Sequence, residues 1–190
     1  SSSLYGNNAF AGVINIITDE PKEGFNGHVS SSYETHNTTD SNIFFSYKNK
    51  DFNGSVFFNK YSSDGYDLLE DDGLNTVNKF NNNTLHIKLG YDISKKFKVR
   101  INARHFAQMI DNIATNNLSG ETFTAEDNVN FTISHKSNRF KTDFELYFTS
   151  YFGDEFLDDD LGNRFSESFY DQILLKPEIK TVYKIDNQKE

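Results

Sequence analysis

The chain has 190 residues, a formal net charge of -9, 36% apolar residues and 15% aromatic residues, including 19 Phe and 10 Tyr. That aromatic content is too high for a disordered chain, no apolar run approaches the roughly 18 residues of a membrane-spanning helix, and the absence of cysteine excludes a disulfide scaffold and a thiolate metal site. The acidic balance argues against a nucleic-acid partner held by a broad basic face.

In chain order, residues 1–20 stand apart. Tyr5-Gly6-Asn7-Asn8 is a turn signal. Residues 9–12 are mostly small, and Val13-Ile14-Asn15-Ile16-Ile17-Thr18 is a β-branched run with apolar residues on both faces, as in a strand buried on both sides. Pro21 and Gly24 then break the chain, so two structural units are expected to meet near residues 19–24. The only Met is Met109, and the chain opens on Ser1 without an initiator or signal peptide. It is therefore expected to be a piece of a longer protein.

From residue 24 onward the period is two. Leu85, Ile87, Leu89, Tyr91 and Ile93 share one parity, and Thr84, His86, Lys88, Gly90 and Asp92 the other. Successive strand residues point to opposite faces, so this segment has an apolar face and a polar one. Phe97, Val99, Ile101 and Ala103 against Lys98, Arg100, Asn102 and Arg104 repeat the pattern. So do Phe140, Phe144, Leu146 and Phe148 against Lys141, Asp143, Glu145 and Thr149. The pattern predicts antiparallel strands over 25–34, 41–49, 52–62, 81–94, 97–108, 127–137, 140–152 and 168–186, paired in order. Pro177 weakens the last, because it cannot donate to a ladder.

Residues 48–51, 94–96 and 137–139 are short polar turns. They alternate with longer connectors at 62–80, 107–127 and 153–168, and with a shorter one at 35–41. Antiparallel neighbours would then collect short turns at one end and loops at the other. A soluble sandwich has no need of that asymmetry. A transmembrane barrel has it, with apolar residues outward and polar residues inward. Phe52, Tyr61, Tyr91, Phe97, Phe106, Phe140, Tyr151, Phe152, Phe169 and Tyr183 lie near strand ends, where interfacial aromatic girdles are expected.

Ser2, Leu4-Tyr5-Gly6, Ala9, Gly12 and residues 13–18 resemble the end of the plug domain in TonB-dependent outer-membrane receptors. In that family an S-x-L-Y-G-x-x-A-x-x-G-V-I-N-I-I-T stretch closes the plug and leads into the first barrel strand. Tyr5, Gly6, Ala9, Gly12 and Asn15 carry the motif here, and Asp64-Gly65-Tyr66 resembles the family's ending of the third strand. The resemblance implies an all-β fold: a partial transmembrane antiparallel β-barrel, about eight of 22 strands, preceded by the last plug strand. Residues 1–20 would be the C-terminal end of the plug and residues 24–190 the N-terminal part of the barrel.

No catalytic arrangement stands out. G-x-S-x-G, H-E-x-x-H and P-loop patterns are absent, so an enzyme is not expected. His28, His36, His86, His105 and His135 form no local metal pair; His86 takes polar parity, and His105 and His135 take apolar parity near strand ends. The loops are acidic. Residues 62–80 hold Asp64, Asp67, Glu70, Asp71 and Asp72 against Lys79; residues 107–127 hold Asp111, Glu121, Glu126 and Asp127; residues 153–168 hold Asp154, Glu155, Asp158, Asp159, Asp160 and Glu167 against Arg164. The strands are basic by contrast. Oxygen clusters suit Ca²⁺, so Asp64, Asp67, Glu70, Asp71 and Asp72 are candidate calcium ligands, with a plain solvated loop as the alternative. The polar parity collects Lys88, Asp92, Lys98, Arg100, Arg104, Lys141, Asp143, Glu145, Lys176, Glu178, Lys180 and Lys184.

The resemblance implies a receptor in the outer membrane of a Gram-negative bacterium. It would take up a scarce nutrient, a ferric siderophore first, with cobalamin or haem next. Its partners would be outer-membrane lipid, the nutrient chelate and a TonB-type energy-coupling protein, with no nucleic acid. No cofactor is implied beyond calcium in the outer loops. The alternative is a soluble β-rich adhesin or ligand-binding module.

Overall fold

The computed structural model describes residues 21–67, 77–115 and 118–184. They form one sheet of eight strands, paired antiparallel in chain order: β1 Gly24–Glu34, β2 Thr38–Lys48, β3 Phe52–Ser63, β4 Phe80–Asp92, β5 Phe97–Thr115, β6 Leu118–Lys136, β7 Phe140–Asp159 and β8 Arg164–Tyr183. No helix occurs among the described residues. The expected strand at 13–18 lies outside them.

Three connections are short and built alike. The N–H of Asn49, Ser94 and Ser137 donates to the carbonyl of Phe52 (2.8 Å), Phe97 (3.1 Å) and Phe140 (2.7 Å), respectively. The Asn49 side chain also accepts from the Asp51 and Phe52 N–H groups, and the Ser94 hydroxyl accepts from those of Lys96 and Phe97. Asn or Ser, two polar residues and Phe is thus the local code. The side-chain oxygen satisfies turn donors while Phe opens the next strand. At the other end, Thr38 N–H donates to the Thr35 carbonyl across His36 and Asn37, both at positive φ. That is the mirror-image turn whose twist suits a hairpin.

Residues paired across an antiparallel ladder lie on the same face, so the register defines continuous rows. Gly27, Phe45, Val56, Ile87, Ala103, Val129, Phe148 and Leu175 form one row across all eight strands. Phe25, Tyr47, Gly54, Leu89, Ile101, Phe131, Leu146 and Pro177 form the next. Phe52, Tyr91, Val99, Ile133, Phe144 and Ile179 form a third. No charged or amide side chain interrupts these three rows. The opposite face carries rows such as Asn26, Ser46, Ser55, Lys88, Asn102, Asn130, Tyr147 and Lys176. The rows are staggered against the strand ends. The row that starts at Gly24, the first residue of β1, reaches β7 at Glu145, well inside its first residue Phe140.

Among the described residues nothing covers the apolar face. Among the described residues no apolar side chain is buried, and Phe25 and Ile179 are each 71% exposed. Pro177 sits on β8, an outermost strand, where its missing N–H is tolerated.

Two expectations are corrected. The predicted loops at 107–127 and 153–168 are mostly strand: β5 and β6 are separated only by 116–117, and β7 and β8 only by 160–163. Cations lie against three of the carboxylates on these ladders. Lys79 lies 3.3 Å from Asp111, which pairs with Glu121 across β5 and β6. Arg164 reaches Asp158 at 2.7 Å and Glu167 at 3.3 Å, with its guanidinium 4.1 Å from the Phe156 ring centre. The second correction concerns side-chain parity. Tyr61, Phe106 and Tyr151 lie on the polar face, since they pair through Asn82, Thr84 and Glu126. His105 is likewise not near a strand end, because β5 continues to Thr115.

On β6 an added Cβ at Gly120 would run into the Phe156 carbonyl oxygen of β7. Gly120→Ala is therefore expected to lower amide protection over 118–122 and 154–158 about tenfold, ~1.4 kcal/mol of local opening. Hydrogen exchange should show residues 129–133 and 144–148 unchanged.

Candidate functional site

The polar face is the chemically equipped side of the sheet, and the register decides what meets on it. Towards the short turns, Asp92 on β4 pairs with Lys98 (2.6 Å) and with Arg100 on β5. Lys141 and Asp143 pair at 2.7 Å on β7. Lys180 on β8 lies 3.3 Å from Glu145 and 3.5 Å from Glu178, and Lys176 lies 3.2 Å from Glu178. Further along, Arg104 approaches Glu126 at 3.5 Å. The charges that the sequence assigns to one parity therefore find their partners within a strand and on neighbouring strands. Each pair is partly open to solvent and is worth about 0–1 kcal/mol. Their collective effect is to let charge line this face without isolated ions.

Over β1–β4 the same face holds a cleft of about 460 Å³. Its lining includes Lys22, Asn26, His28, Phe44, Ser46, Ser55, Phe57, His86 and Lys88. His28, Phe44, Phe57 and His86 are one cross-strand row, and Asn26, Ser46, Ser55 and Lys88 are the next. The His28 and Phe44 rings lie 5.4 Å apart, and the His86 Nε2 is hydrogen-bonded with Asn102 Oδ1. Ser46 is buried, at 4% exposure, and forms part of the floor. Sequence reasoning treats these histidines singly and misses the row. The available signal is Phe44 and Phe57, large apolar residues at positions where the alternation calls for polar ones.

The candidate calcium ligands are divided. Asp64 accepts a hydrogen bond from the Asn37 side chain, and its N–H donates to the His36 carbonyl at 3.0 Å. Gly65 and Tyr66 follow, with Tyr66 bridged to Val77 and 5.1 Å from the His36 ring. Asp67 is described, whereas Glu70, Asp71 and Asp72 lie outside the described residues, as do Tyr5, Gly6, Ala9, Gly12 and Asn15 of the N-terminal motif. Among the described residues no group of three or more His, Asp or Glu side chains is placed to hold a metal ion.

On the apolar face His105 Nδ1 lies 2.8 Å from Asp127 Oδ1, and the row continues to Ser150. This puts the carboxylate between imidazole and hydroxyl. Activation of a serine needs the imidazole in the middle. No protein-family model matches the chain.

At the β7–β8 turn, Asp159 Oδ1 accepts from the N–H of Leu161 (2.9 Å) and Asn163 (2.8 Å), and Oδ2 from the Asn163 side chain (3.0 Å). The Asn163 amide above all, with its backbone N–H, holds the Asp159 carboxyl below its ordinary value of 3.8. A depressed folded value means that the contribution is present above the unfolded value and is lost as pH falls through the folded one. Protection of the Leu161 and Asn163 amides should therefore hold at neutral pH, begin to fall only as pH drops past the ordinary value of 3.8, and be lost once pH passes below the depressed folded value. Asp159→Ala should show the same loss at pH 7 by hydrogen exchange.

Amide exchange across 62–80 in millimolar calcium and in chelator is expected to be equal. A calcium-dependent rise, abolished by Asp71→Ala with Asp72→Ala, would support the cation reading.

Proposed function

We propose that the chain is the beginning of the barrel of a TonB-dependent outer-membrane receptor, with residues 1–20 as the end of its plug. Together with the rest of that receptor it takes up a scarce nutrient, with a ferric siderophore as the leading cargo class and cobalamin or haem next. The plug is moved by a TonB-type energy-coupling protein, and the protein works as a transporter rather than an enzyme. Its place is the outer membrane of a Gram-negative bacterium.

The observation that carries this reading is the uninterrupted apolar rows on one face of a sheet that has charge on the other and, among the described residues, no buried apolar core. A closed barrel in lipid satisfies both faces at once, because hydrocarbon covers the outside and a plug with water fills the inside. Three further features support it. The stagger of the rows runs in one direction, as strand tilt in a barrel requires. On β7 the apolar-face aromatics Phe140, Phe144, Phe148 and Phe152 span roughly 40 Å along the strand, or about 28 Å at a 45° tilt, close to the ~25 Å band of such barrels, and a fifth, Phe156, lies beyond that band beside Arg164. Aromatic contacts gather at both ends of that band. Phe97–His135 (4.5 Å) and Phe140–Tyr183 (4.9 Å) lie near the short turns, and Phe123–Phe152 (6.0 Å) and Phe152–Phe169 (5.4 Å) lie far from them.

A soluble module would need a second layer over the apolar face. Extraction separates the readings: the receptor protein should sediment with outer membranes and need detergent. Release by salt or carbonate would favour the soluble module. In lipid refolding, Ile101→Lys should destabilise by about 2–4 kcal/mol if it lies near the midplane. Arg100→Ala should cost about 1 kcal/mol or less, the usual scale of a partly exposed ion pair. The opposite ranking would reverse the two faces.

A further inference from the structure

The two ends of the sheet carry opposite charge. Between the strands at the short-turn end lie Lys50, Lys95, Lys96 and Arg139, with Asp51 as the one carboxylate. At the far end β5–β8 carry Asp111, Glu121, Asp154, Asp158 and Glu167 against Lys79 and Arg164. Backbone bonds join the turns into a rim. The N–H of Asp92 donates to the Asp51 carbonyl (2.7 Å), that of Lys136 to Lys96 (2.8 Å) and that of Lys184 to Arg139 (2.8 Å). Lys136 thus stands beside Lys96, and Lys184 beside Arg139. Lys50, Lys95, Lys96, Lys136 and Arg139 are all exposed, and among the described residues none of the five forms an ion pair. Lys98 and Lys141, by contrast, are matched by Asp92 and Asp143 on the polar face. Each turn also runs into a phenylalanine of apolar parity: Phe52, Phe97 or Phe140. Lys96 and Arg139 directly precede theirs, and Phe97 and Phe140 are 43% and 49% exposed.

We propose that this rim binds the headgroups of anionic phospholipids in the leaflet that meets the short turns. The inference rests on the receptor reading and adds to it the lipid that one end of the sheet selects. Outward aromatic rings mark the boundary between hydrocarbon and headgroups. Cations one or two residues nearer the turn then lie at the depth of the phosphates, and long lysine and arginine stems let the charge reach them. A zwitterionic lipid brings an ammonium with each phosphate, whereas an anionic lipid brings the phosphate without it. Cations that lack a carboxylate of their own therefore favour the anionic lipid. One leaflet supplies both partners, hydrocarbon for the rings and phosphate for the cations. A soluble acidic protein would meet only the cations. The carboxylates of β5–β8 repel the same headgroups, so the preference belongs to one end of the sheet.

The test uses the intact receptor in phosphatidylcholine bilayers that hold a trace of spin-labelled lipid. Electron spin resonance then measures how much label is immobilised against the protein. Labelled phosphatidylglycerol should be selected over labelled phosphatidylcholine about threefold or more at low salt. The selection should shrink at about 0.5 M salt, as exposed charges do when screened. A variant with Lys50→Gln, Lys95→Gln, Lys96→Gln, Lys136→Gln and Arg139→Gln should keep its strand spectrum and its place in the bilayer. It should lose about half or more of the selection. Lys60→Gln with Lys79→Gln, two cations towards the far end, should leave the selection as it is. Equal immobilisation of the two lipids overturns the assignment. So does selection that survives the five substitutions in a folded protein, which is the outcome expected if the rim meets a soluble acidic protein instead. An equal loss in the Lys60→Gln, Lys79→Gln variant overturns it as well, since general charge would then suffice. Release from the bilayer by carbonate overturns the receptor reading and the rim with it. A protein that stays in the bilayer and selects no lipid overturns the rim alone.

Discussion

The apolar face of a single sheet has to be covered by something other than the sheet. Most domains solve this with a second layer of helices or strands. Here the described residues supply none: eight strands lie in one sheet, and no apolar side chain is buried. The cost of leaving Phe45, Val56, Ile87, Val129 and Phe148 in water runs at about 25 cal/mol for each Å² of apolar surface. Every other feature takes its meaning from that constraint. The receptor reading proposed above answers it with lipid. It also accounts for the charge on the second face, which could not face hydrocarbon but can face a plugged, wetted interior.

The same constraint explains where charge is permitted. In the three uninterrupted rows the apolar parity admits no ion. Beyond those rows, on the long β5–β8 strands, it admits Asp111, Glu121, Asp127, Asp154, Asp158 and Glu167. These carboxylates lie on ladders rather than on loops. Strand formation asks only that backbone groups pair and that like charges find a counter-ion. Lys79 and Arg164 provide it for Asp111 and for Asp158 with Glu167. Acidic composition was a poor guide to loop structure for this reason, and the predicted loops at 107–127 and 153–168 became hairpin extensions.

The polar face follows a different logic in its two halves. On β4, β5, β7 and β8 lysines and arginines face carboxylates, which keeps each ion solvated or paired as burial requires. On β1–β4 rings, hydroxyls and cations share one cleft. The difference arises from register rather than composition. His28 and His86 are far apart in sequence, and three successive pairings put them in one row with Phe44 and Phe57 between them.

The all-β class, the eight strands, their order and the apolar parity of Leu85, Ile87, Leu89, Val99 and Ile101 are legible in the sequence. A period of two depends only on the alternation of side chains along a strand, and the Asn/Ser-x-x-Phe turns mark three hairpins locally. Tertiary structure decided what those local rules leave free. Pairing carried β5–β8 through the acidic segments, and register assembled the cleft from four strands. Each of these depends on which residues of different strands stand opposite one another. A single chain's alternation carries no information about that until the backbone pairs.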